Sequence, residues 1–190
     1  MRSIIIIISF LSLISQVSMA QNHTDKEIKE VHLKETDTRM HEDSVFGYRV
    51  SIPEWLTVMD TGSDNLWGGV FPPIGEIKNA VMIKVFEKSE FDSFDDFKKT
   101  YITGNRFGKP TLFNKNKLWY GHNERDLHDI KNGVSCRVFT MYQGKIYHNQ
   151  FSLIETTKGY LWIQFTATPN TYSVNLPKFA EFVDSIELIE

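Results

Sequence analysis

Short runs in which apolar and polar residues alternate recur along the chain from residue 46 onward, and two stretches of helical period interrupt them. Residues 46–52 (FGYRVSI) alternate and stop at Pro53, which predicts a strand leading into a turn. Residues 80–86 (AVMIKVF) are almost continuously apolar, the pattern of a strand covered on both faces. Four more runs, 118–125, 134–142, 145–155 and 160–168, form a predicted antiparallel meander. Asn132-Gly133, Gln143-Gly144 and Lys158-Gly159 lie between them, and Asn-Gly is a strong hairpin signal. Residues 60–79 hold Gly62, Gly68, Gly69, Pro72, Pro73 and Gly75 and read as a loop.

The helical stretches are marked by their ends as well as their period. Asp92 or Ser93 can cap a helix whose Phe94, Phe97 and Tyr101 fall on one side, with Asp95 and Asp96 at its positive end and Gly104 as a stop. Near the C-terminus, Asn175 as cap and Pro177 in the first turn predict a helix burying Phe179, Phe182, Val183 and Ile186. The order is strand, strand, helix, four strands, helix. Strands apolar on both faces need cover on both sides. The predicted fold class is therefore α+β, a three-layer α/β/α sandwich with a largely antiparallel sheet of about six strands.

The N-terminus follows a different logic. Arg2 precedes an apolar run, residues 4–14, broken only by Ser9 and Ser12, and Ser18-Met19-Ala20 supplies the small residues a signal peptidase reads. The run is well short of the about 20 residues that span a bilayer, so 1–20 reads as a cleaved signal peptide, with no transmembrane anchor left after cleavage. The expected product starts at Gln21, secreted or periplasmic. Residues 21–44 carry seven acidic and four basic residues and few apolar ones, which marks a charged linker ahead of a globular domain at 45–190. His23, His32 and His41 recur every nine residues, two and a half helical turns, so they do not share a helix face. Asn22-His23-Thr24 fits a glycosylation acceptor, relevant only in a host that glycosylates.

Composition narrows the function classes. Apolar residues at 41% with 13% aromatics indicate a folded core. Without residues 1–20 the charge is 21 Lys and Arg less Arg2, against 24 Asp and Glu, or −4, with no basic run to recruit nucleic acid or an anionic membrane. Cys136 is the only cysteine, so an intramolecular disulfide is excluded; it shares a strand face with Val134 and Val138, as a buried inert thiol would.

Three segments carry the resemblance of this chain to a known group: Tyr48-Arg49-Val50-Ser51-Ile52-Pro53-Glu54-Trp55, residues 80–101, and the ending from Tyr160-Leu161-Trp162-Ile163-Gln164-Phe165 through Leu176-Pro177-Lys178-Phe179. Over residues 46–188 it resembles the PsbP-like superfamily, which includes extrinsic proteins of the photosynthetic oxygen-evolving complex, Ran-binding nuclear-import proteins and bacterial secreted relatives. The resemblance implies an α/β/α sandwich and a docking or assembly role without catalysis, and it carries over no functional residue.

Candidate chemistry comes from three places. Asp60-Thr61-Gly62-Ser63-Asp64-Asn65-Leu66-Trp67 looks like the active-site block of pepsin-like aspartic proteases, whose chemistry needs two such loops sharing a proton. This chain has one, so a hydrolase using Asp60 would have to be a homodimer. His122, Glu124, Asp126 and His128 alternate and could offer metal ligands if the segment were extended; such a strand spans roughly 20 Å, so at most two, such as His122 and Glu124, could share an ion. His148 reads as a sheet-surface or satisfied core histidine. Trp67 and Phe71 sit on the Gly- and Pro-rich stretch, either as binding anchors or as a lid folded onto the core. The expectation is a secreted or periplasmic, non-catalytic binding module without a cofactor, whose partner is another extracytoplasmic protein or a small ligand. Aspartic-type hydrolysis and metal binding are the alternatives.

Overall fold

The computed structural model describes residues 39–103, 119–122, 126–142 and 144–190. The expected signal peptide 1–20, most of the charged linker, Gly104 and Glu124 lie outside the described residues. The chain runs through β1 (Met40–Asp43), β2 (Tyr48–Ser51), β3 (Thr57–Met59), β4 (Leu66–Val70) and β5 (Ala80–Glu87) to the short helix α1 (Phe94–Lys98). It continues with β6 (Trp119–His122), β7 (His128–Ile130), β8 (Gly133–Tyr142), β9 (Lys145–Glu155) and β10 (Gly159–Ala167), then α2 (Pro169–Asp184) and β11 (Glu187–Leu188).

Alternation along the strands builds the sandwich. On one face of the main sheet Val81, Ile83, Val85, Leu161, Ile163 and Phe165 pack against Phe179 and Phe182 of α2 and against Tyr48 and Val50 of β2. On the other face Phe86, Cys136, Val138, Phe151, Leu153, Tyr160 and Trp162 pack against Phe97 of α1 and against Tyr101 and Ile102. The result is the predicted three-layer α/β/α sandwich. The strand order is β3-β4-β5-β10-β9-β8-β6, with β7 also on β8, and every pairing is antiparallel. The sheet is thus seven strands wide rather than about six. A second, three-stranded sheet has the order β1-β2-β11.

Three local readings differ in the structure. Residues 60–79 are not a continuous loop: β4 runs through them, paired with β5 from Leu66↔Lys84 to Val70↔Ala80. Gly69 is required by close packing, since a Cβ there would fall 2.9 Å from Leu56 Cγ, whereas one on Gly68 would meet the flexible end of Met59, 2.9 Å away at Cε. Within the run 118–125, residues 119–122 form β6 on β8; residues 118 and 123–125 lie outside the described residues. Residues 40–43, expected in the linker, form β1 on β2.

The last correction concerns α2. It starts at Pro169 after the N-cap Thr168, with Asn175 and Pro177 inside it. Thr168-Pro169 satisfies the same cap-and-proline rule earlier in the chain, and proline at the first helical position lacks only an N–H that would have no partner there. By contrast α1 follows the prediction: the Asp96 N–H donates to Ser93 Oγ at 3.2 Å, and Phe97 is buried. A π-turn, Lys99–Thr103, continues it.

Candidate interaction site

The β8–β9 hairpin carries a graded surface on the face that α2 covers. Its register sets Arg137 opposite Gln150, Phe139 opposite His148 and Met141 opposite Ile146. Period-two alternation places these six side chains on one face as two columns of three. The inner pair lies under α2, where the Tyr172 hydroxyl donates to Gln150 Oε1 at 2.6 Å. The middle pair is half-buried: the His148 ring meets Phe139 edge-on at 4.8 Å and Tyr172 at 5.3 Å. The outer pair is solvent-facing, Met141 at 40% and Ile146 at 47% exposure. An apolar ledge therefore projects beyond the helix, with a cation at its inner edge.

Arg137 is fixed in two ways. Its Nε and Nη2 both donate to Asp126 Oδ2, at 3.3 and 3.2 Å, and its guanidinium lies 5.1 Å from the Phe139 ring centre. Beneath it, Gln150 Nε2 donates to Ser135 Oγ at 2.7 Å, and Ser135 Oγ is 2.9 Å from Ser152 Oγ. These buried groups satisfy one another, so the floor is rigid. Burial pushes the Tyr172 hydroxyl up to about 12, against the pull of Arg137. Burial, reinforced by Arg137, holds His148 below its ordinary value. The surface therefore presents a neutral imidazole, a neutral phenol and one guanidinium at neutral pH.

Other sequence candidates lie elsewhere. Asp60 occupies the exposed turn between β3 and β4, where its carboxylate accepts from the Gly62 N–H at 2.9 Å, Ser63 Oγ donates to Asn65 Oδ1 at 2.7 Å and the Thr61 hydroxyl donates to the Leu66 carbonyl. Gly62 has φ +64°, so the D-T-G-S-x-N block here has the chemistry of a hairpin turn. His122 opposes Val138 and His128 opposes Ser135, which are on opposite faces of β8; Glu124 lies outside the described residues. Among the described residues no three His, Cys, Asp or Glu side chains gather as a metal site. Cys136 is buried beside Val138, and its thiol is pushed up to about 11, first by burial and then by Asp126.

Trp67 and Phe71 are not loop anchors. Phe71 is 1% exposed and packs on Phe165 at 5.1 Å and Trp55 at 5.0 Å. Trp67 is a β4 residue stacked between Phe182 and His41, both with ring centres 5.5 Å away. Sequence reasoning missed Arg137, Phe139, Met141, Ile146 and Tyr172 as a group. The signal was present: a two-residue connection at 143–144 fixes the hairpin register, and with it the three cross-strand pairs.

Fold and surface together define an α/β/α sandwich with an exposed apolar ledge at the end of the β8–β9 hairpin. The fold is PsbP-like. It is similar to the solution structure of cyanobacterial PsbP (CyanoP) from Synechocystis, with a TM-score of 0.54 and 14% identity over 80% of this chain and 92% of that one. It is also similar to the crystal structure of a Pseudomonas aeruginosa protein of unknown function, with a TM-score of 0.53 and 13% identity over 84% of this chain and 96% of that one. At these identities the likeness is one of fold. No family model and no curated protein matches the chain. Among the described residues no helix is long and apolar enough to cross a membrane.

Proposed function

We propose that the chain is a secreted or periplasmic, non-catalytic docking module that holds another extracytoplasmic protein on the β8–β9 ledge. The observation that carries this reading is the pairing of two exposed apolar side chains, Met141 and Ile146, directly across from each other beyond the edge of α2. Apolar contact with a guanidinium close by is the composition of a protein-binding hot spot. The rigid hydrogen-bonded floor below means that little side-chain freedom is lost on docking. The N-terminal apolar run of residues 4–14 supports export, and the charged residues 21–38 suit a spacer between cleavage site and domain.

The test is paired. Met141→Asp with Ile146→Asp should weaken capture of the partner by the exported protein at least about tenfold. The same change should leave the protein folded at a cost of about 1–2 kcal/mol, since both side chains are partly exposed and the two new carboxylates face each other across the strand pair. Undiminished capture by the folded double variant would contradict the docking surface. Protein that remains in the cytoplasm with residues 1–20 intact would contradict the compartment.

A further inference from the structure

β1 is a strand that fits its place poorly. Its inward positions are Arg39, His41 and Asp43, while Met40 faces solvent. An edge strand over a core ordinarily turns apolar residues inward. His41 sits where such a residue belongs: its ring stacks on Trp67 at 5.5 Å and lies 5.7 Å from the ring of Tyr48, with Nε2 3.2 Å from the Tyr48 hydroxyl. Trp67 is backed by Phe182, stacked at an interplanar angle of 10°. Trp67 and Tyr48 thus form a slot that holds an imidazole, with Phe182 backing Trp67. Two other contacts are specific to the strand. Arg39 donates to the carbonyls of Pro53, Glu54 and Leu56 at 3.2, 3.4 and 3.1 Å, and β1 pairs with β2 from Met40↔Ser51 to Asp43↔Tyr48.

From this we infer that β1 is a displaceable plug over a strand-addition site on β2, and that the site takes an extended peptide with arginine followed two residues later by an aromatic side chain. The main chain of β2 supplies the ladder hydrogen bonds of strand addition. The carbonyls of Pro53, Glu54 and Leu56 take the arginine. Trp67 and Tyr48 take the aromatic ring, which gains more from that slot than a buried imidazole does. The chain's own strand competes as an intramolecular ligand, weak in its contacts but always close by. This explains why Trp67 is shielded in the closed protein: its exposure depends on β1 leaving. The inference does not involve the β8–β9 ledge and stands or falls separately.

The experiment uses the full chain and a fluorescent peptide of residues 39–45 carrying His41→Phe. Arg39→Ala with His41→Ala in the protein should loosen β1 and bind this peptide at least about tenfold more tightly than the unaltered chain does. The peptide with the native histidine should bind at least about tenfold more weakly, and binding should change the fluorescence of Trp67. A second variant, Met40→Cys with Ser51→Cys, places thiols at a paired register position. Oxidation should abolish peptide binding and reduction restore it. Equal binding by locked and reduced protein, or no binding by the reduced protein at saturating peptide, would overturn the proposal even if the alanine variant fails to fold.

Discussion

One hydroxyl joins the main sheet to the β1–β2 turn. Thr156 Oγ1 accepts from the Gly159 and Lys158 N–H groups at 2.8 and 3.1 Å and lies 2.6 Å from the Phe46 carbonyl, to which it donates. Thr156→Val keeps the shape and leaves those groups without partners, so it should cost about 1–3 kcal/mol in urea unfolding. Thr156→Ser should recover most of that, and an unchanged midpoint for the valine variant would refute the account of this turn. Gly133 illustrates a second kind of constraint. Its φ is not positive, yet a Cβ there would lie 2.0 Å from the Leu153 carbonyl oxygen. The backbone must move to admit any side chain, and Gly133→Ala should destabilise by about 1–3 kcal/mol or more. Cys136 gives a chemical check: with its thiol near 11, about one molecule in a thousand is a thiolate at pH 8. Alkylation should be slow in the folded protein and rapid after denaturation; fast labelling of the native state would contradict its burial.

Among the elements, β1 carries an expected pH dependence. Burial holds His41 below its ordinary value of 6.5, with Asp43 pulling the other way. Tyr48 from β2 faces it as an un-ionised phenol, while Trp67 and Phe182 bring no charge. The folded chain thus favours the neutral ring. That contribution is fully present above about pH 6.5 and is lost as pH falls through the folded value. The protection factors of the β1–β2 amides, taken relative to intrinsic exchange at each pH, should fall between pH 7 and 5, and His41→Phe should flatten that change. Equal pH dependence in both proteins would show that another group controls the strand. The same elements mark what was legible in the sequence. Continuous or alternating apolar runs gave β5, β8, β9 and β10, and cap chemistry gave α1, because local pattern and burial agree there. β4 was hidden by Gly68 and Gly69, the second needed for packing against Leu56, and β1 by polar residues at its inward positions. The start of α2 was misread because two prolines in one helix offer two equivalent start signals.

At the scale of the molecule, two packed faces give a rigid scaffold, and the ledge is where one layer ends before the sheet does. The sequence held the ledge's register but not its exposure, which depends on where α2 stops covering β9. Single exposed apolar residues are ordinary on a protein surface, so the claim rests on location rather than on hydrophobicity. Val174, on α2 and 58% exposed, is the natural comparison. The most direct measurement places a photoactivatable phenylalanine at Met141, Ile146 or Val174 in turn and irradiates the protein in the cells that make it and in their medium. The account predicts one discrete crosslinked partner from Met141 and Ile146 and none from Val174. Equal crosslinking from all three positions, or crosslinking from Val174 alone, would contradict it.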